Sequence, residues 1–418
     1  MSENELSFTE AAEEALSRIF ATPRAETAIT DRTAVDTIAC IAGGRYEPFV
    51  AALAEARRVP PRLLAHTSLD DVPGHDAAFV NAAAAHSQDL DDTQLSTTAH
   101  VSSVVWSTLL AVVPSATPGL HVARAATAGH RFLRMLGGFV VPNHLRAGWH
   151  ATGTASALGA VVAYGALVDD HARTRRALGI VGSLMGGLRA NNMSSLKCVH
   201  AGRAAENALL AHRIAVQESW AGEASLPAMA AAFGFRAAAL RDDTVDGSDM
   251  LAKLYPSCSG THPAVEVVLS LRAELSRRGT VDVTVPQLVA DETTTAWPAG
   301  IPEARMSLPY TIACALHYGR LDNDAIRDGL IEPAVRAAFD TVVVRVDAED
   351  QDTTYQPWAR VDLPDRPRTL WSVPPDNEAI GGKWARLVGP GVAPPIVSAA
   401  SDVRSLISEL RCAVGVPA

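Results

Sequence analysis

Residues 151–168 read ATGTASALGAVVAYGALV, an uncharged run that ends at Asp169 and Asp170. Its length approaches that of a membrane span, which needs about 20 apolar residues. Its threonine, serine and glycine content does not suit a lipid-facing surface, whereas a helix that is apolar all round is typical of the centre of a bundle. We therefore predict a helix buried on all sides by other helices.

Helical patterns also fill the chain on both sides of this run. A capping box, Ser7 to Glu10, opens an amphipathic stretch through Phe20. Further helical patterns cover residues 34–42, 48–58, 100–113, 123–136, 171–187 and 201–217. Almost nothing before Pro256 alternates with a period of two, so the first part of the chain is predicted to be all helical.

The texture changes after Pro256. Three short runs alternate apolar and polar residues and predict strands: Thr280 to Pro286, Thr341 to Asp347 and Ala359 to Leu363. Helical patterns lie between them at residues 263–278, 309–318 and 331–339. This part is therefore expected to be a smaller α+β unit.

A Pro-rich stretch, residues 364–375, leads to two last helical patterns at 378–387 and 398–414. These helices could return to the first domain. We predict a mainly α protein in which residues 1–252, completed by 376–418, form a large all-helical domain. Residues 253–375 form a smaller α+β lid domain.

Composition restricts the partners. The formal net charge of −10 disfavours nucleic acid and anionic membranes, although a few local cations can still hold a small anion. The five cysteines are scattered, as expected for free thiols in a reducing compartment. The first residues, MSENELSFTEAAEEAL, lack the basic and apolar regions of a signal peptide, so we expect a cytoplasmic protein.

Several common motifs are absent from the sequence: GxGxxG after a strand, GxxxxGK[ST], HExxH and GxSxG. The stretch Ser257 to Gly260 lacks the first glycine of a nucleophile elbow. The 13 histidines are dispersed, without the spacing typical of metal sites. We predict no metal and no organic cofactor.

Two polar clusters interrupt the helical part. In HSQDLDDT, residues 86–93, three carboxylates fall within four positions and His100 follows shortly after. Either an aspartate caps the next helix, or the repelling carboxylates belong to a site. In GWHATG, residues 148–153, His150 begins the buried run. It is either a core histidine or a candidate acid or base.

Three further clusters carry chemical groups. Lys197, in SSLKCVHAGRAA, lies near a helix start, where the macrodipole disfavours a cation and an anionic ligand would explain it. Lys253, in KLYPSC, and the following His262 lie at the predicted domain junction, where clefts form. Tyr310, in SLPYTIACA, is either a packed aromatic residue or a hydroxyl donor from the second unit.

In this order and with these gaps, the five clusters resemble the MmgE/PrpD family, which includes 2-methylcitrate dehydratase, cis-aconitate decarboxylase and iminodisuccinate epimerase. The resemblance covers nearly the whole chain, from DTIACIAGG at residues 36–44 to ARMSLPYTIACAL at 304–316. It implies a large helical domain completed by both chain ends and a smaller α+β lid. It also implies a homodimer that needs no metal or organic cofactor.

The resemblance further implies a set of site residues. The expected catalytic residues are Asp89, His100, His150, Lys197 and Tyr310, and the expected substrate-binding residues are Thr93 and Lys253. His262 is expected to bind substrate as well, because of its place at the predicted domain junction. The two lysines would hold substrate carboxylates. Asp89 and the histidines at 100 and 150 would transfer protons next to a carboxylate, while Thr93 and Tyr310 would orient the substrate or donate to developing negative charge.

Three functions remain open on the sequence. The first is a lyase that removes a proton from a small di- or tricarboxylate and expels water or CO2. The second is a cofactor-independent epimerase of an iminodisuccinate-like compound, with His100 and Lys197 as bases on opposite faces. Both share a carbanion-like intermediate, so the same residues suit either. The third is a carboxylate-binding scaffold without activity.

Overall fold

The computed structural model describes residues 5–60, 62–217, 225–347, 355–363, 367–371 and 375–413. Helices dominate the first part of the chain: α1 Phe8–Ala21, α2 Thr27–Gly44, α3 Pro48–Ala56, α4 Thr67–Asp70, α5 Gly74–His86, α6 Val101–Val112, α7 Gly119–Val140, α8 Asn143–Arg146, α9 Ala151–Leu167, α10 His171–Val181, α11 Leu196–Ile214 and α12 Ser225–Phe233. A 3-10 helix, Arg189–Asn191, and a pair of two-residue strands, β1 Thr93–Gln94 and β2 Met250–Leu251, complete the regular structure described in this part.

Helix α9 is the predicted buried run, and its residues are buried except for the half-buried Tyr164 and Ala166. It packs against α6, α7, α10 and α11. Small residues let these helices approach closely: a Cβ atom at Gly129 in α7 would lie 2.5 Å from the carbonyl oxygen of Gly159 in α9. A protein with few aromatic residues can therefore still build a dense core.

In the second part, the described residues form the remaining strands and six further α-helices: α13 His262–Leu275, β3 Val281–Pro286, α14 Gln287–Glu292, α15 Ile301–Ala304, α16 Leu308–Tyr318, α17 Asn323–Gly329, α18 Pro333–Phe339, β4 Val342–Asp347, β5 Trp358–Asp362 and β6 Pro367–Trp371. The strand order is β4-β3-β5-β6, with β3 parallel to β4 and the other pairs antiparallel. The parallel pair needs a long crossover, which α14 to α18 provide.

The three predicted strands are confirmed as β3, β4 and β5. Strand β6 was not predicted, because it starts at a proline within the Pro-rich stretch and is mostly exposed at the sheet edge. An edge strand that buries neither face leaves no alternating pattern to read. The rest of that stretch, residues 364–366 and 372–374, lies outside the described residues.

The last helices, α19 Asn377–Leu387 and α20 Val403–Ala413, contact the first part of the chain. Lys383 Nζ in α19 lies 2.5 Å from Asp36 Oδ1 and donates to the Leu90 carbonyl oxygen. Arg411 in α20 pairs with Asp70 at 2.6 Å. The mainly α architecture with a smaller α+β part is thus confirmed, while the exact boundaries at 252 and 375 stay a prediction.

The capping box at the start of α1 is also confirmed: Ser7 Oγ accepts from the Glu10 backbone N–H, and Glu10 accepts from the Ser7 backbone N–H. Within the described residues, no helix combines the length and the apolar character that crossing a membrane requires.

Candidate active site

The loop after α5 presents Asp89 at the centre of a buried charge cluster. Its backbone is left-handed, with φ of +51°, a conformation that aspartate tolerates better than most residues. Lys253 Nζ lies 2.5 Å from Asp89 Oδ1, and Lys197 Nζ lies 2.8 Å from Oδ2. Burial alone would raise the pKa of Asp89, but the lysines hold it well below 3.8. Asp89 is therefore an anion clamped between two cations.

Secondary structure explains how both lysines reach Asp89. Lys197 is in the first turn of α11, where the macrodipole disfavours a cation and the Asp89 carboxylate offsets this cost. Lys253 lies just after β2 in the chain. Strand β2 pairs with β1, and β1 lies only a few residues after Asp89. The short β1–β2 pair thus carries Lys253 to the aspartate loop.

His100 stands at the start of α6 and contacts Asp91. Its Nδ1 lies 3.2 Å from Asp91 Oδ1, and the same carboxylate lies 2.9 Å from His86 Nδ1. An ionised carboxylate can only accept hydrogen bonds, so each of the two rings is assigned a proton on its Nδ1 atom. Burial lowers the pKa of His100 to about 4. At neutral pH its Nε2, 3.8 Å from Asp89 Oδ1, is an unprotonated base.

His150 stands at the start of α9 and pairs with a second ring. Its Nδ1 lies 2.9 Å from Nδ1 of His200, which is three residues after Lys197 in α11. The His86 ring stacks on the His150 ring, with centroids 5.5 Å apart. Burial lowers the pKa of His150 well below 6.5 and that of His200 to about 4. Both rings are therefore neutral at pH 7.

These groups line two adjoining cavities. The first, here called the histidine cleft, has a free volume of about 30 Å³, roughly that of one liquid water molecule, and is lined by Asp89, His100, His150, Lys197 and Lys253 together with other residues. The second, here called the chamber, has about 300 Å³. Asp89, Asn192 and Lys197 line both, so the two spaces meet at the charge cluster.

Most of the residues that line these cavities lie in two stretches of the chain that match known family models. Residues 17–247 match the MmgE/PrpD N-terminal domain, and residues 255–369 match the MmgE/PrpD C-terminal domain. The chain belongs to the MmgE/PrpD family. Members are typically dehydratases, decarboxylases and epimerases, which supports a dehydratase- or lyase-type enzyme in general. Among curated proteins, none matched the chain.

Three of the expected site residues do not line the histidine cleft. The Tyr310 hydroxyl is buried and donates to the Ile326 carbonyl oxygen at 2.6 Å. His262 lines a neighbouring cavity of about 360 Å³, and burial lowers its pKa to about 3. Thr93 is buried in the β1–β2 pair and lines neither the cleft nor the chamber.

The structure adds residues that the sequence did not single out. Tyr355 lines the histidine cleft from the second part of the chain, and its hydroxyl lies 3.1 Å from Ser259 Oγ. Burial raises its pKa well above 10, so it stays a proton donor. Glu292 lines the cleft too and pairs with Arg189 at 3.1 Å. No local motif marks these positions, because they arrive from separate elements.

One compositional signal could have pointed to the lysines. The sequence contains three lysines, Lys197, Lys253 and Lys383, although it contains 36 lysines and arginines together. Each of the three is buried and pairs with an aspartate. Arginine supplies the remaining basic side chains, so lysine occurs where a compact buried ammonium group is needed.

The histidines that are dispersed in sequence converge in space. Among the residues that the structure describes, ligand atoms of His86, Asp91 and His100 all lie within 4.8 Å of one another. Each histidine already contacts the Asp91 carboxylate through Nδ1, and Ser103 donates to it at 2.5 Å. The Asp91 carboxylate thus orients both rings through their Nδ1 atoms.

Proposed function

We propose that this MmgE/PrpD protein is a lyase that transfers a proton next to a carboxylate of a small di- or tricarboxylate, with loss of water or CO2. The observation that carries the proposal is the convergence of Lys197, Lys253 and the neutral His100 on the buried Asp89 carboxylate, in a cleft that the neutral His150 also lines. Such a cluster is costly to bury, and perturbed groups lining a cleft are typical of functional sites.

The two lysines would bind the substrate carboxylate. Their ammonium groups already bracket a carboxylate, that of Asp89, at 2.5 and 2.8 Å. A substrate carboxylate approaching through the chamber meets Lys197 first, since its side chain is 11% exposed and that of Lys253 is 1% exposed. Charge-assisted hydrogen bonds of this kind fix both position and orientation.

His100 is the proposed base. Asp91 accepts from its Nδ1, which leaves Nε2 free to take a proton from the carbon next to the bound carboxylate. His150 is the proposed second proton-transfer group, and the Tyr355 hydroxyl is proposed to donate to the negative charge that develops on the substrate. The proposed roles of Thr93 and Tyr310 rest on the family resemblance, and that of His262 rests on its place at the predicted domain junction.

An epimerase is the second candidate. His100 Nε2 lies 3.8 Å from Oδ1 of Asp89, whereas Lys197 Nζ lies 2.8 Å from Oδ2. The two groups thus approach different oxygens of one carboxylate. Inversion of a stereocentre requires one proton-transfer group on each face of the reacting carbon, and His100 and Lys197 are the proposed pair.

The deciding experiment follows proton transfer in D2O. The protein is incubated with 2-methylcitrate, cis-aconitate, citrate, iminodisuccinate, malate and aspartate-derived amines, and each is followed by proton NMR. New vinylic signals or loss of a carboxylate carbon would support the lyase. Deuterium at the α-carbon with an intact skeleton would support the epimerase. Full activity in a Lys197→Ala variant would refute the proposed site, and binding without any exchange would favour the scaffold.

Two proposals concern the whole protein: a homodimer, which the resemblance implies, and a cytoplasmic location, which the scattered cysteines favour. Light scattering of the purified protein tests the first, and fractionation of the source cells tests the second. A monomer at micromolar concentration would contradict the dimer.

A further inference from the structure

The chamber next to the histidine cleft has mainly apolar walls. Pro48, Phe49 and Val50, at the start of α3, line it from the first part of the chain. Ile301 and Pro302, at the start of α15, line it from the second part. At about 300 Å³ it is roughly ten times larger than the free space in the cleft and lies at the lower end of small-molecule pockets.

The charged groups that line the chamber are already engaged. Arg305 pairs with Glu47 at 3.5 Å and donates to the Ser87 carbonyl oxygen at 2.7 Å and to Asn323. Glu47 also accepts from Gln88 at 2.9 Å. Of the basic side chains lining the chamber within the described residues, that leaves Lys197, which belongs to the charge cluster at the junction with the cleft. A second substrate carboxylate in the chamber would have to compete with Glu47 for Arg305 to gain a cation of its own.

We infer that the chamber is a subsite for an uncharged apolar substituent of the substrate. This rests on the proposed function: the reacting carbon and its carboxylate lie against the histidines and lysines, and an alkyl or aryl group extends from them into the chamber. The substrate class is therefore a substituted dicarboxylate rather than a tricarboxylate. Burying one methylene group contributes about 0.8 kcal/mol, which corresponds to about fourfold in affinity.

Binding of substituted succinates tests this without requiring turnover. Calorimetry with succinate, methylsuccinate, butylsuccinate and benzylsuccinate should show the Kd falling about fourfold per methylene up to butyl. Ile301→Trp, which fills the chamber, should make the Kd values of succinate and butylsuccinate nearly equal. Ile331→Trp, the same change at a side chain that is 88% exposed, should keep the wild-type ratio. Phe49→Ala, which removes part of the chamber wall, should reduce the gain in affinity per methylene group. This variant serves as the test if Ile301→Trp does not fold.

The outcomes separate this inference from the proposed function. If succinate binds and longer chains bind no better, the chamber is a solvent-filled entrance and the inference is wrong, while the site stands. The same holds if Ile301→Trp and Phe49→Ala both keep the wild-type ratio. If no member of the series binds, succinate included, the proposed function falls together with the subsite.

Discussion

His150 and His200 share one hydrogen bond between their Nδ1 atoms, which lie 2.9 Å apart. Each neutral imidazole carries a single N–H, so one ring donates through Nδ1 and the other accepts there. If His150 donates, its Nε2 is a base; if it accepts, its Nε2 carries a proton and is an acid. His200 therefore decides which proton-transfer role His150 can take, although it lines neither the cleft nor the chamber.

Replacing His200 should change proton transfer more than substrate binding. We expect His200→Ala to lower kcat and to shift its pH profile, with KM nearly unchanged. The loss should be smaller than the roughly 100- to 10,000-fold expected for removing a general acid or base itself. His200→Gln, whose amide can reproduce a single hydrogen bond, should recover part of the rate. His75→Ala, an exposed histidine, is the control. An unchanged pH profile in His200→Ala would show that the pair is only structural.

The three lysines should differ in chemical reactivity. The side chain of Lys197 is 11% exposed, whereas those of Lys253 and Lys383 are each 1% exposed. An amine-reactive reagent should therefore modify Lys197 before the other two lysines, and a bound dicarboxylate should slow that reaction. Peptide mass spectrometry measures each site, with the N-terminal amine as internal control. Faster labelling of Lys253, or no protection by any dicarboxylate, would argue against the proposed approach of the substrate.

Loss of Lys253 should destabilise the protein more than loss of Lys197. Removing one member of a fully buried ion pair typically costs about 3–5 kcal/mol, because the other charge is left without compensation. We expect Lys253→Met to lower the free energy of unfolding by about this amount in urea titrations, and Lys197→Met by less. The double variant Lys253→Met with Asp89→Asn should lose less than the sum of the single changes. Strict additivity would mean that the ion pair contributes nothing specific.

Two tyrosines should differ in their effect on kcat. Tyr355→Phe removes a hydroxyl that lines the cleft and contacts Ser259 Oγ, so we expect kcat to fall by about 100-fold, with a loss of stability of about 1 kcal/mol. Tyr310→Phe removes the hydrogen bond to the Ile326 carbonyl oxygen, so it should cost about 1 kcal/mol of stability and leave kcat nearly unchanged. Kinetics and thermal unfolding of both variants check this. A large kcat loss in Tyr310→Phe alone would restore the role implied by the resemblance.

Acid should destabilise the fold well above the usual carboxylate range. Burial lowers the pKa of His100, His130, His144 and His212 to about 4, whereas the unfolded value is about 6.5. Each is neutral in the folded state, so its contribution is complete above pH 6.5 and is lost as the pH falls toward 4. Between these pH values the free energy of unfolding falls by about 1.4 kcal/mol per pH unit for each histidine. Burial also raises the pKa of Asp92, which acts in the opposite direction.

Urea unfolding at pH 7, 6 and 5 measures this dependence. His130→Gln removes one buried histidine outside the cleft, near Ser102, and should reduce the slope by up to about 1.4 kcal/mol per pH unit. Equal stability at pH 7 and pH 5 would contradict the prediction.

Much of the fold could be predicted because its patterns are local. The apolar run at 151–168 became the central helix α9, and the alternating runs became β3, β4 and β5. Amphipathic periodicity and caps act within a few residues, so they are legible in one sequence. Strand β6 was missed because an exposed edge strand carries no such pattern.

The sequence by itself determined the fold class and the family, because residue types and their spacing carry that information. Tertiary structure alone decided that His200 bonds to His150, that Tyr355 rather than Tyr310 lines the cleft, and that Lys197 and Lys253 bracket Asp89. These relations join residues on different elements, up to 164 positions apart in the case of Lys253 and Asp89. Only packing of the elements brings such groups within hydrogen-bonding distance, and burial then sets their pKa values.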